Sequence, residues 1–174
     1  MRRMIPFLFL LLAGCTPPAP PPSGVDGPSA PVPAAIAPSA APTALPVLES
    51  RDTSSHDTPL TVAVNSVRTA PRATTVDFTL TNRGAATWFV ESRLSTSFEH
   101  DVSGVFLVDA VAGKRYLPAR DGEERCVCSG TRTGGLGPGD SVTFSAVFAP
   151  LPSDLDRVRV HIPLGGIFDV PVTR

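Results

Sequence analysis

The chain has 174 residues and a formal net charge of −1, because 15 basic residues nearly balance 16 acidic ones. This balance lacks the excess positive charge that nucleic-acid-binding domains present, so we expect no nucleic-acid partner. The 20 Pro and 14 Gly residues interrupt helices, which excludes a coiled coil and argues against a mainly helical fold.

The N-terminus has the pattern of an export signal. Arg2 and Arg3 precede an apolar run over residues 4–13. This run is shorter than the roughly 20 apolar residues that a membrane-spanning helix needs. A short positive segment followed by such a run is typical of a signal peptide, so we expect the protein to be exported.

The apolar run ends in Leu12-Ala13-Gly14-Cys15, which resembles the lipobox of bacterial lipoproteins. The resemblance implies that residues 1–14 are a lipoprotein signal peptide and that Cys15 is the lipidation site. It further implies a chain held on a membrane by acyl groups, facing the periplasm or the cell surface. An ordinary secretory signal with an unmodified Cys15 is the alternative.

Residues 15–58 differ in composition from the rest of the chain. Pro, Ala and Ser dominate up to Pro46, and a polar stretch follows up to Asp57. Such a composition cannot bury enough apolar surface to offset the entropy of ordering, and Pro-rich pieces favour extended conformations. We therefore predict a lipidated Cys followed by a disordered Pro/Ala/Ser-rich linker. A Pro-rich ligand for a recognition domain is the alternative interpretation of this segment.

Residues 59–174 show the alternation of apolar and polar residues that is typical of β-strands. The clearest apolar sets are Val76/Phe78/Leu80, Val142/Phe144/Ala146/Phe148, Val158/Val160/Ile162 and Phe168/Val170/Val172. Turn signals that contain Gly or Pro separate these sets. About 7–8 short strands in such a length predict an all-β fold of the β-sandwich type.

Several segments of this domain have a more specific prediction. Leu60–Val64 is the expected first strand, and Thr87–Val90 and Val105–Val108 are apolar enough to be buried on both faces. Pro171 places the last strand at a sheet edge, because Pro cannot donate to a strand ladder. Apolar residues spaced by four between residues 94 and 102 allow a short helical turn.

Two turn motifs carry a resemblance to a known family. The strand that ends in Thr81-Asn82-Arg83-Gly84 and the later turn Gly137-Pro138-Gly139-Asp140 resemble the Ig-like domains of bacterial surface lipoproteins. The resemblance implies an Ig-like β-sandwich over residues 59–174. These motifs mark turns, so they imply no particular activity.

Cys126 and Cys128 are the only thiols left if Cys15 is lipidated. Export favours their oxidation to a disulfide. Residues two apart in an ideal strand have Cα atoms about 6.6–6.8 Å apart, at the upper limit for a disulfide, so the bridge requires a bent backbone. A soft-metal site for Cu(I) or Zn(II), and free or redox-active thiols, are the alternatives.

The three His residues do not form a catalytic motif. His56 lies in the linker, His100 lies in a predicted loop, and His161 alternates with apolar residues and should face solvent. A grouping of His100 with the cysteines is not excluded by their separation in sequence. No nucleophile elbow, metalloprotease motif or phosphate-binding loop occurs in the sequence, so we predict neither catalytic activity nor a cofactor.

These observations predict a lipid-anchored cell-envelope protein whose sandwich is a non-catalytic binding module. Its membrane contact is the lipid anchor, and its partner is an envelope protein or a glycan. We expect the exposed loops over residues 92–103 and 119–135 to form the contact surface. The alternative is a copper- or zinc-handling or redox lipoprotein that uses Cys126 and Cys128.

Overall fold

A computed structural model of the chain describes residues 45–96, 99–132 and 134–174. The predicted signal peptide, Cys15 and most of the predicted linker lie outside the described residues. The strands are β1 (Glu49–Ser55), β2 (Thr58–Thr69), β3 (Thr74–Asn82), β4 (Trp88–Phe89), β5 (Phe106–Asp109), β6 (Lys114–Tyr116), β7 (Gly135–Leu136), β8 (Ser141–Phe148), β9 (Arg157–Ile162) and β10 (Gly166–Pro171).

These strands form antiparallel sheets, which confirms the all-β prediction. One sheet has the order β1-β2-β3-β8, a second has the order β10-β9-β5-β6, and β4 pairs with β7. The described residues contain ten strands where about 7–8 were expected. The strands without a predicted counterpart are β1, which falls in the predicted linker, and the short strands β6 and β7.

The alternation in the sequence translates directly into burial. In β3, Val76, Phe78 and Leu80 are fully buried, whereas Thr75, Asp77 and Thr79 are partly exposed. The inward residues of β8, β9 and β10 join them in one hydrophobic core shared by the two four-stranded sheets. Sheets whose inner faces pack on one core in this way form a β-sandwich.

The predicted edge position of the last strand is confirmed. β10 pairs only with β9 and lies at one end of the second sheet, so Pro171 removes a donor where no further strand is paired. On the outer face of this sheet, Ile167, His161 and Phe106 lie in register across three neighbouring strands.

The first strand begins earlier than expected. Glu49–Ser55, which we assigned to the linker, pairs with β2 through a tight hairpin whose turn residues are His56 and Asp57. Both turn residues have positive φ, of 48° and 62°, as a two-residue type I′ turn requires. Asp and His tolerate this region better than most residues, but the turn lacks the Asn-Gly or Asp-Gly signal of such hairpins.

The apolar segment Thr87–Val90 is not buried on both faces as expected. Trp88 is buried, but the Phe89 side chain is 52% exposed. The reason is that β4 pairs with β7 alone, so no layer covers its outer side. Residues 91–94 form turns, and none of the residues that the structure describes is helical. The helical turn that the spacing allowed between residues 94 and 102 falls partly on residues 97 and 98, which lie outside the described residues.

Asn82 connects the two turn motifs that suggested an Ig-like domain. Its side-chain amide donates to the carbonyl oxygens of Ala86 and Leu136, both at 2.8 Å. Its own backbone carbonyl accepts from the amide of Gly139 at 2.9 Å. Gly139 has a φ of 82°, a left-handed backbone conformation that residues other than glycine rarely adopt. The two distant motifs are therefore joined through the buried Asn82 side chain and backbone at the start of β8.

Candidate functional site

Two long loops meet at one side of the sandwich. Residues 90–105 connect β4 to β5, and residues 117–134 connect β6 to β7. The amide of Thr131 donates to the His100 carbonyl at 2.8 Å, and the amide of Val102 donates to the Ser129 carbonyl at 3.2 Å. The loops that we predicted as the contact surface are thus joined to each other by backbone hydrogen bonds.

The second loop is also fixed to β8, the edge strand of the first sheet. The Val147 amide donates to the Val127 carbonyl at 3.1 Å, and the Ser129 amide donates to the Ser145 carbonyl at 2.8 Å. The Ser129 hydroxyl accepts in turn from the Ser145 amide at 2.9 Å. The segment around the cysteines therefore acts as an irregular extra strand that covers the edge of β8.

Cys126 and Cys128 lie at disulfide distance, with an S–S separation of 1.93 Å. Their Cα atoms are 5.3 Å apart, which is closer than in an extended strand. The expected bend is therefore present. The segment forms isolated bridges instead of a regular ladder: Cys126 pairs with Arg120, and Cys128 with Ala146. Both cysteines are partly buried.

The loop contacts bring Asp101 next to the cysteine pair. One carboxylate oxygen of Asp101 and the two sulfur atoms all lie within 4.8 Å of one another. The Ser103 amide donates to Asp101 Oδ1 at 3.0 Å and orients the carboxylate. Burial raises the pKa of Asp101, but hydrogen bonds from Ser103 and Ser95 outweigh burial and lower it overall. Asp101 is therefore ionised at neutral pH.

These groups line an open depression of about 540 Å³. Its charged side chains are those of Glu99, Asp101, Arg125 and Arg132, so acidic and basic groups are equal in number. His100 lines the same depression, which places it near the cysteines, as their separation in sequence left open. The sequence alone did not single out Asp101, because its proximity results from the pairing of two loops.

Arg125 is held in place by two carboxylates. Its guanidinium lies 2.9 Å from Asp121 and 2.9 Å from Glu123. Backbone hydrogen bonds from Arg125 and Glu123 are the main reason that the pKa of Asp121 is lowered. The acidic cluster of residues 121–124 is thus an Asp-centred turn closed by an arginine.

His161 lies outside this depression and is not simply solvent-facing. It is on the outer face of β9, as predicted, but its ring stacks on Phe106 with centroids 4.2 Å apart. The Arg115 guanidinium lies 3.6 Å from the centroid of the Phe106 ring. Burial, followed by the positive charge of Arg115, lowers the pKa of His161, although a hydrogen bond to the Gly104 backbone partly opposes this.

No family model, curated protein or solved structure matches this chain. In the described residues, no helix has the length and hydrophobicity required to cross a membrane.

Proposed function

We propose that this protein is an exported, lipid-anchored envelope protein whose β-sandwich binds a partner without catalysing a reaction. The observation that carries this proposal is the loop surface formed by residues 99–103 and 125–132. Backbone hydrogen bonds join these two loops, and further ones fix the second loop to β8. A surface that is already ordered loses little conformational entropy when a partner binds.

The chemistry of this surface favours a polar, mixed-charge partner. Carboxylates and guanidinium groups lie side by side in a wide depression instead of an enclosed apolar cavity. Enclosed and largely apolar cavities are typical of small-molecule sites, whereas an open polar surface suits an envelope protein or a glycan. Recognition would then use hydrogen bonds and paired charges.

The finer assignment of the fold to the Ig-like domains of bacterial surface lipoproteins is part of this proposal. Its support is the contact between the two turn motifs through Asn82, which gives the motifs a shared structural role. Ig-like sandwiches commonly present loops at an end or side of the sheets to partners.

The anchor is tested by labelling expressing cells with a lipid precursor. The native chain should incorporate label at Cys15, and a Cys15→Ala variant should incorporate none. Label retained by Cys15→Ala would show that the lipobox interpretation is wrong. A lipidated chain should also partition with the membrane fraction, whereas Cys15→Ala should be recovered as soluble exported protein.

The binding surface is tested by site-specific photocrosslinking in intact cells. A photoreactive residue at Arg132, which is exposed beside the cysteine pair, should give discrete crosslinked products that mass spectrometry can identify. The matched position is Val111, which is 95% exposed in the turn between β5 and β6. Equal products from both positions, or none from Arg132, would contradict the proposed surface.

A further inference from the structure

We infer that Cys126, Cys128 and Asp101 form a redox-controlled binding site for Zn(II). The site is closed while the two sulfur atoms are joined and becomes available when they are reduced. This inference does not depend on the proposed binding function, because it concerns the reduced chain and a metal ion, not a macromolecular partner.

The distances permit coordination with only small movements. The three donor atoms lie within 4.8 Å of one another. Zinc takes thiolate sulfur at about 2.3 Å and carboxylate oxygen at about 2.0–2.2 Å, so tetrahedral ligand atoms are about 3.3–3.8 Å apart. Separation of the sulfur atoms to this spacing needs rotation of the two side chains, since the Cα atoms are already only 5.3 Å apart.

The donor set selects the type of metal. Two thiolates and one carboxylate suit Zn(II), which accepts both sulfur and oxygen ligands. Cu(I) prefers sulfur alone, and Mg²⁺ and Ca²⁺ prefer oxygen alone. Three protein ligands leave the fourth tetrahedral position for water or another donor, an arrangement that is typical of reactive zinc sites and not of closed structural ones.

The surroundings stabilise this ligand set. The amide of Ser103 orients the Asp101 carboxylate, as hydrogen bonds to ligand side chains commonly do at metal sites. Two thiolates and a carboxylate carry three negative charges, which exceed the charge of one divalent ion. Arg132 lines the same depression and offsets the remaining negative charge, whereas Arg125 is already paired with Asp121 and Glu123. Backbone hydrogen bonds of Val127 and Ser129 hold the segment to its neighbours independently of the sulfur bridge.

The redox step needs a dithiol reductant, such as the active site of a thiol–disulfide oxidoreductase. Two electrons and two protons pass from the dithiol to the pair: the bond between Cys126 Sγ and Cys128 Sγ breaks, and a disulfide forms in the reductant. Each freed thiol then releases one proton to solvent as its sulfur bonds to the metal. Metal binding is consequently favoured by reducing conditions and by higher pH.

The test uses the full chain with Cys15→Ala, so that Cys126 and Cys128 are its only thiols. One sample is kept oxidised, and one is reduced with a phosphine, which becomes its oxide by taking oxygen from water. Zn(II) is titrated against a chromophoric chelator, and native mass spectrometry gives the stoichiometry. We expect one equivalent in the reduced sample and none in the oxidised sample. Co(II) should give thiolate-to-metal absorption in the reduced sample only.

Two variants separate ligation from charge. Asp101→Asn keeps the oxygen that accepts from Ser103, and it should weaken Zn(II) binding at least about tenfold. Glu99→Gln removes the same charge from the same depression and should change binding less than about threefold. Circular dichroism verifies that both remain folded, and Cys126→Ser should abolish binding if Asp101→Asn does not fold. Equal weakening by Asp101→Asn and Glu99→Gln, or metal-free reduced protein, would overturn the inference.

Discussion

At the scale of single residues, His161 shows how cross-strand neighbours lower the pKa of a side chain. The alternation pattern predicts its outward position correctly, but not this shift. Phe106 of β5 stacks on its ring, Ile167 of β10 lies opposite in register, and Arg115 of β6 approaches the Phe106 ring. Of the titratable side chains, Arg115 is the one whose charge acts on His161. Burial and this like charge both oppose protonation of the imidazole.

The lowered pKa of His161 predicts a pH dependence of stability. Below the ordinary value of 6.5, the unfolded chain takes up a proton at this position more readily than the folded chain. The free energy of unfolding should therefore fall as the pH drops through about 6.5 towards the lower pKa of the folded state, and should be regained above it.

Urea denaturation of the native chain and of His161→Gln at a series of pH values checks this prediction. The variant should show a flatter dependence between about pH 7.5 and pH 5, whatever its absolute stability. Identical slopes for both proteins would mean that His161 is not the responsible group.

Cys126, Cys128 and Asp101 illustrate the limit of sequence reasoning at the same scale. Export predicted that the two cysteines would be oxidised, and their two-residue spacing predicted that a bridge requires a bent backbone. The contribution of Asp101 was not predictable, because it depends on the hydrogen bonds that join residues 100–102 to residues 129–131.

At the scale of elements, β1 is the part that sequence analysis assigned wrongly to the linker. Its composition is polar because it is an edge strand whose outward side chains meet solvent. Contacts with both sheets keep it in place. The Thr53 hydroxyl donates to the Leu164 carbonyl at 2.7 Å, and Glu49 accepts from the Asp169 amide of β10 at 2.9 Å.

Deletion of residues 45–55 should therefore destabilise the domain and promote self-association. It removes the backbone bonds to β2, each contributing about 1 kcal/mol, and leaves the β2 edge unpaired. Thermal unfolding and size-exclusion chromatography measure both effects.

The matched control is deletion of residues 31–41, a segment of equal length in the predicted linker. It should leave the unfolding temperature and the oligomeric state unchanged. A shortened chain without residues 45–55 that is as stable and monomeric as this control would show that β1 contributes nothing to the fold.

At the scale of the whole molecule, the two four-stranded sheets depend on one core. Leu80 of the first sheet and Leu107 of the second are both fully buried in the same cluster of apolar side chains. A domain of this size with a single core is expected to unfold in one cooperative transition.

Leu80→Ala and Leu107→Ala should therefore lower the stability of the whole domain, not of one sheet. Each should cost about 2–5 kcal/mol, the range for a buried leucine that leaves a cavity. Leu117→Ala is the control, since this side chain is 59% exposed and should change stability by less than about 0.5 kcal/mol. Fluorescence of Trp88 and circular dichroism should report the same midpoint for each protein; separate midpoints would contradict a shared core.

Local patterns in the sequence were sufficient to predict the fold class, the inward faces of β3, β8, β9 and β10, and the edge position of Pro171. These are local properties, because side chains alternate along each strand and the backbone of Pro lacks a donor. The folded chain was needed to see that β1 belongs to the domain, that Phe89 is exposed and that Asp101 lies beside the cysteines. Each of these depends on pairing between segments distant in the chain, which local periodicity does not specify.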